Sequence, residues 1–147
     1  MNIGPSFPNG RAFIADEFCV LHISALYNTC WAALTGRHAR LARFPQGQSN
    51  DLNKFLPGVQ DICVTKIIGT FNREKDFDPD FQPLKMHLRD GWIRARLEQN
   101  HWFPILAHKI GNHYYVEDGH HRVSVARFTG MLSIPAKVWE YSCRCTG

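Results

Sequence analysis

Residues 104–130 restrict the possible folds more than any other part of this chain. Two extended runs, PILAHKI (104–110) and HYYVE (113–117), flank Gly111-Asn112, and the second leads through Asp118-Gly119 directly into HHRVSVARFTG (120–130). Gly-Asn between two such runs is the turn chemistry of a β-hairpin. The composition after Gly119 favours a helix from residue 120 to about 129, with Gly130 placed to end it. IPAKVWEY (134–141) supplies a further strand. A strand, a tight turn and a helix start in immediate succession require helices layered on a sheet.

That junction has a chemical consequence. The first turn of a helix carries amide N–H groups without intrahelical acceptors, and the helix dipole adds positive potential there. A phosphate placed against them accepts those donors directly. Gly119 lets a ligand approach the backbone, and the Arg122 guanidinium can hold two phosphate oxygens. Arg122 can equally form a structural salt bridge with Asp118 or Glu117. Its truncation is expected to weaken ligand binding and leave the fold undisturbed. His120 and His121 can donate to a phosphate oxygen, shuttle a proton near neutral pH, or merely fix the turn. Asp118 suits an N-cap. Alternatively, Glu117 or Asp118 orients an attacking hydroxyl or holds a magnesium ion beside the phosphates.

Upstream, a helix is expected from about residue 16 to 43. Asp16 or Glu17 stands at its positive end, Leu21, Ala25, Ala32 and Ala33 form an apolar side, and Arg37, Arg40 and Arg43 fall near its far end. Gly36 can interrupt it. The turn-rich FPQGQSNDLNKFLPG (44–58) follows, punctuated by Pro45, Gly47, Pro57 and Gly58. A boundary near Val59 divides a helical extension and linker (1–58) from the main domain (59–147). VQDICVTKIIGT (59–70) reads as one strand and a turn. FNREKDFDPDFQP (71–83) reads as an exposed loop, in which Arg73 faces a ligand or pairs with a neighbouring acid. A helical region spans about 81–99, with Phe81, Leu84, Leu88, Trp92 and Ala95 on one side at helical spacing. The expected fold is a small α/β (α+β) domain with a mixed sheet, surrounding helices and the N-terminal helical extension.

Composition narrows the functional classes. The 147 residues, 44% hydrophobic and 20% charged, have the balance of a soluble globular chain. No unbroken run approaches roughly 20 apolar residues, so no membrane span is expected. The opening MNIGPSFPNGR lacks the basic start and apolar stretch of a secretory signal. Five cysteines, an odd number, point to a reducing compartment, the cytoplasm, with Cys19, Cys30 and Cys63 as small core residues. Cys143 and Cys145 offer only two ligands, and no metal centre is expected. The formal charge of +4 divides evenly between residues 1–50 and 51–147, which leaves weak DNA contact as the most to expect of duplex binding. His108 and His113 are expected to face each other across the hairpin.

Asp118-Gly119-His120-His121-Arg122, followed by Val123 and Ala126-Arg127, resembles the phosphate loop of the ParB/sulfiredoxin-like superfamily. IPAKV (134–138) continues the resemblance. Asn72-Arg73, Asp76-Phe77-Asp78 and the segment from Phe81 resemble the start of a ParB N-terminal-like domain, so that about residues 59–141 are covered. The resemblance implies a nucleotide-binding domain whose G-x-x-R loop holds phosphates, here Gly119, His120, His121 and Arg122, with Arg73 as a further phosphate-facing arginine. Relatives include CTP-dependent DNA clamps, ATP-using sulfiredoxins and an ADP-dependent serine kinase. CTP, ATP or ADP with magnesium is thus the implied ligand, and phosphate hydrolysis or transfer the implied activity, with His120, His121, Glu117 and Asp118 as catalytic candidates. The alternatives are a non-catalytic regulatory or DNA-associated module and a metal-dependent nuclease; for the latter, the sequence offers no clear two-metal carboxylate set. His120 stands where sulfiredoxin carries its reactive cysteine, which argues against sulfinic-acid reduction. ParB clamps continue into a helix-turn-helix, whereas this sequence stops six residues after Tyr141, so centromere binding by this chain alone is not expected.

Overall fold

A computed structural model describes residues 10–37, 40–45 and 53–141. Gly4, Pro5, Pro8, Gly47, Cys143 and Cys145 lie outside them. The first helix, α1, runs over Gly10–Thr35 rather than from 16 to 43. It stops because Gly36 takes a φ of 69°, the left-handed conformation that ends helices. Arg37 and Arg40 therefore lie beyond it, and Arg43 sits in the two-residue strand β1 (Ala42–Arg43). By length and composition α1 is apolar enough to cross a membrane, which the search for an unbroken apolar run missed. The uncharged polar residues His22, Ser24, Asn28 and Thr29 break the run without adding charge. A core helix passes the same test, and Ile14, Ala15, Phe18, Leu21, Ala25 and Ala32 of α1 are buried. Cys19, Cys30 and Cys63, expected in the core, are all exposed. Cys19 and Cys30 point away from the buried face of α1, and Cys63 lies at the outward-facing end of a strand.

The remaining strands are β2 (Asn53–Phe55), β3 (Gln60–Cys63), β4 (Ile67–Thr70), β5 (Ile105–Ile110), β6 (His113–Asp118) and β7 (Ser133–Tyr141). Residues 59–70 thus form two strands separated by a 3-10 turn at Val64–Lys66. One mixed sheet results, in the order β1-β4-β6-β5-β7, with β2 and β3 both antiparallel to β7. The expected hairpin joins β5 to β6 through Gly111, and β7 runs parallel to β5. Its register opposes His108 to Tyr115 and Ile110 to His113, so the two histidines do not face each other.

Helix α2 covers Arg89–Leu97 and is flanked by 3-10 turns at Met86–Leu88 and Gln99–His101, a shorter element than the helix expected over 81–99. The reason lies in the preceding loop. Asp78 Oδ1 accepts the backbone N–H groups of Asp80 (3.0 Å) and Gln82 (2.8 Å), and Phe81 takes a φ of 58°. Those bonds hold a turn where a helix would need its own ladder. Phe81, Leu88, Trp92 and Ala95 are nevertheless buried, so the spacing located core residues even where it did not locate a helix.

Helix α3 (His120–Phe128) ends as expected at Gly130, which has a φ of 72°. A single core cluster joins Ile14, Phe18 and Leu21 of α1, Trp92 and Ile93 of α2, and Val123, Val125 and Ala126 of α3 to Ile105, Ala107, Val116, Ile134, Ala136 and Val138 of the sheet. Trp92 is fully buried, donates its indole N–H to Ser124 Oγ (3.0 Å) and meets Phe18 and Phe128 ring to ring, so it ties the three helices together. Each such large side chain contributes about 1.5–3 kcal/mol through burial. Residues that alternate with the core positions, His108 and Tyr115, join Phe44, Phe71 and Tyr141 in an aromatic cluster.

Candidate functional site

The end of β6 and the start of α3 meet at Gly119, which has φ 107° and ψ 25°. Only glycine adopts this conformation readily. A Cβ there would stand 2.4 Å from Ile105 Cγ2, so the turn also needs the missing side chain for packing on β5. No side chain caps α3. Asp118, expected as an N-cap, instead turns its carboxylate to the guanidinium of Arg122 (3.1 Å). The first-turn amides of α3 therefore keep their donor capacity toward whatever occupies the space before them.

That space is a cleft of about 880 Å³. Gly119, His120, His121 and Arg122 line it together with Arg73 and Arg94. All seven residues singled out from the sequence thus line one concave surface, Glu117 and Asp118 among them. Arg122 is firmly held. One terminal nitrogen donates to the carbonyls of Phe103 (2.6 Å) and Pro104 (3.2 Å), the other to Asp118, and the side chain is 19% exposed. It is therefore both a cleft residue and a clamp on the segment leading into β5. The expectation that its removal leaves the fold undisturbed does not fit these bonds.

His120 lies beneath the surface and bonds through Nε2 to Thr70 Oγ1 (2.6 Å). The same hydroxyl oxygen accepts the backbone N–H groups of Asn72 (3.3 Å) and Arg73 (3.0 Å). This cluster fastens the loop that carries Arg73 to the start of α3. Arg73 donates Nε–H to Asp76 (2.8 Å) and stands 5.4 Å from the centroid of Phe77. The Phe77 ring in turn stacks on His120 and meets His121 edge-on. Asp76 stays below its ordinary pKa although burial opposes this, because Lys85 and Arg73 both donate to it.

Burial, assisted by the charge of Arg73, lowers His120 to about 3 and His121 to about 4. Both imidazoles are therefore neutral at pH 7 in the free protein. His121 keeps its Nδ1 buried with no hydrogen-bond partner among the described residues. Its ring rests on Gly91 of α2, where a Cβ would come within 2.6 Å of Nε2.

Glu117 is committed elsewhere. Its carboxylate binds His108 Nε2 (2.5 Å), and His108 Nδ1 pairs with the Tyr141 hydroxyl (2.7 Å). Glu117 is thus bonded to His108 and Asp118 to Arg122, while Glu98 is a third carboxylate in the cleft lining. Among the described residues, no group of three or more His, Cys, Asp or Glu is arranged to hold a metal.

The sequence reading missed Arg94, Thr70 and Phe77. Arg94 of α2 lines the cleft, and its side chain makes no hydrogen bond or ion pair with any described residue. Its signal was its place three residues after Gly91, on the side of α2 that approaches α3. Thr70 carried no signal, because a threonine at a strand end is ordinary until its partner is known. Compared with family models, with curated proteins and with solved structures, the chain finds no match in any of the three.

Proposed function

We propose that this chain is a ParB/sulfiredoxin-like domain that binds the phosphate groups of a nucleotide, CTP, ATP or ADP, against the amide end of α3. The observation that carries this reading is the uncapped first turn of α3, opening from left-handed Gly119 into a cleft bordered by Arg73, Arg94 and Arg122. Amide donors, the helix dipole and converging guanidinium groups are the usual components of an oxyanion seat. Glu98, Glu117 and Asp118 also border the cleft, so the ligand's charge must be met directly by the amides and arginines. The resemblance of Asp118–Arg122 to the superfamily loop selects a nucleotide over other anions. The reading extends to binding: buried His120 and half-buried His121, both neutral, are better suited to shaping the cleft than to transferring protons. The cytoplasm, which supplies nucleotides and keeps thiols reduced, is the compartment we propose.

Calorimetric titration with CTP, ATP, ADP and pyrophosphate, with and without magnesium, tests the proposal. At least one of them should bind, and Arg94→Ala should weaken it by about 10-fold or more, the worth of one charge-assisted contact. Absence of heat with every ligand sinks the reading. Binding to DNA alone, with a steep loss of affinity as salt rises, would replace it with the DNA-associated module.

A further inference from the structure

Helix α1 is apolar on two opposite faces, whereas a surface helix ordinarily has one. Ile14, Phe18, Leu21 and Ala25 are buried against the body of the protein. On the opposite side Phe13, Val20, Ile23, Tyr27 and Leu34 are 64–82% exposed, with Leu26 and Trp31 beside them about half exposed. Phe13, Val20, Tyr27 and Leu34 recur every seven residues, and Ile23 and Cys30 fall between them, the spacing of a helix-pairing seam. These side chains leave on the order of 1,000 Å² in water, more than the few hundred Å² of an ordinary monomer patch and about the ~800 Å² that each partner contributes to a standard interface.

We infer that this stripe docks against the same stripe of a second copy of the chain, with the two α1 helices antiparallel about a two-fold axis. The charges at its ends specify the orientation. Asp16 lies on the exposed face near the start of α1, and exposed Arg37 follows its end. Antiparallel pairing brings Asp16 toward Arg37 of the second copy and opposes the two helix dipoles. Parallel pairing would set like charges beside each other. A membrane surface fits less well. Helix α1 carries Arg11 alone against Asp16 and Glu17, and the basic Arg37, Arg40 and Arg43 all follow its end, which leaves the length of the stripe without the basic rim that anionic headgroups attract. Nor is it free to leave the body and span a bilayer: Glu17 is paired with Arg96 (3.1 Å) and His22 Nδ1 with the Pro83 carbonyl (3.0 Å).

Sedimentation across the micromolar range, on the full chain, decides the matter. The wild type should sediment at twice the chain mass. Ile23→Glu, which places two carboxylates near the dyad, should weaken dimerisation by ~100-fold or more and retain its circular dichroism spectrum. A second variant tests the orientation independently. With the five native cysteines replaced by serine, Leu34→Cys should not cross-link to itself under oxidation, because antiparallel pairing holds the two copies of residue 34 roughly 25 Å apart. A monomeric wild type, a dimer unaffected by Ile23→Glu, or self-cross-linking at position 34 each overturns the inference. Flotation of a monomeric wild type with phosphatidylserine-containing vesicles would reassign the stripe to a lipid surface. A monomer that does not float would reassign it to a different protein.

Discussion

Arg122 illustrates how one side chain can serve both fold and ligand. Its hydrogen bonds to the Phe103 and Pro104 carbonyls hold the chain entering β5, and those acceptors lose a charged donor when it is removed. The Asp118 carboxylate is 75% exposed and adds little as an ion pair. Arg122→Ala should therefore lower stability by about 1–2 kcal/mol in urea denaturation, the scale of charge-assisted bonds at a partly open site. It should also weaken nucleotide binding. Arg94→Ala should reduce binding with no comparable loss of stability, because Arg94 holds nothing in place. Equal stability losses in the two variants would show that the clamp role of Arg122 has been overstated.

At the scale of elements, the junction between β6 and α3 controls the cleft. Gly119→Ala forces a Cβ into a positive φ and against Ile105, so β6, β5 and the start of α3 cannot all keep their places. A loss of about 2–4 kcal/mol is expected, measured by denaturant unfolding. An unchanged midpoint would mean that the turn can relax to another conformation. This junction was legible in the sequence because its rules are local: Gly-Asn for the hairpin, Asp-Gly for the turn, Gly130 for the stop. Local rules failed where distant residues decide the outcome. The Asp78 carboxylate fixes a turn in place of an expected helical start, and Thr70 positions His120 from 50 residues away. Arg94 escaped notice because it enters the cleft only once α2 lies on α3, with Gly91 against His121. The outer face of α1 escaped because the expected helix was given a single apolar side, Leu21, Ala25, Ala32 and Ala33, although Val20, Tyr27 and Leu34 recurred within it and only Phe13 lay before its expected start.

For the molecule as a whole, three groups with large shifts, buried His120 and Asp78 and half-buried His121, shape the response to acid. Folded His120 and His121 titrate at about 3 and about 4, whereas an unfolded histidine titrates near 6.5. Between those limits the unfolded chain binds protons that the folded one refuses, so their contribution is complete above about pH 6.5 and is lost as the pH falls. Asp78 acts in the opposite sense. Burial raises it to about 6 from 3.8, so the folded chain binds the proton first and the penalty for its charge grows as the pH rises through 6. Its Oδ2 is buried without a partner among the described residues, while Oδ1 accepts two amides. Two histidines against one aspartate leave a net uptake of about one proton on unfolding between pH 4 and 6, or ~1.4 kcal/mol lost per pH unit on acidification. Asp78→Asn keeps the Oδ1 acceptor and removes the opposing titration. The variant should exceed the wild type by ~3 kcal/mol at pH 7.5, converge with it toward pH 4, and show a slope about twice as steep between. Denaturant unfolding of both proteins across this range checks the prediction. Parallel curves would mean that Asp78 reaches water in the folded state, and a less stable variant at pH 7.5 would mean that its charge holds the turn more strongly than burial opposes it.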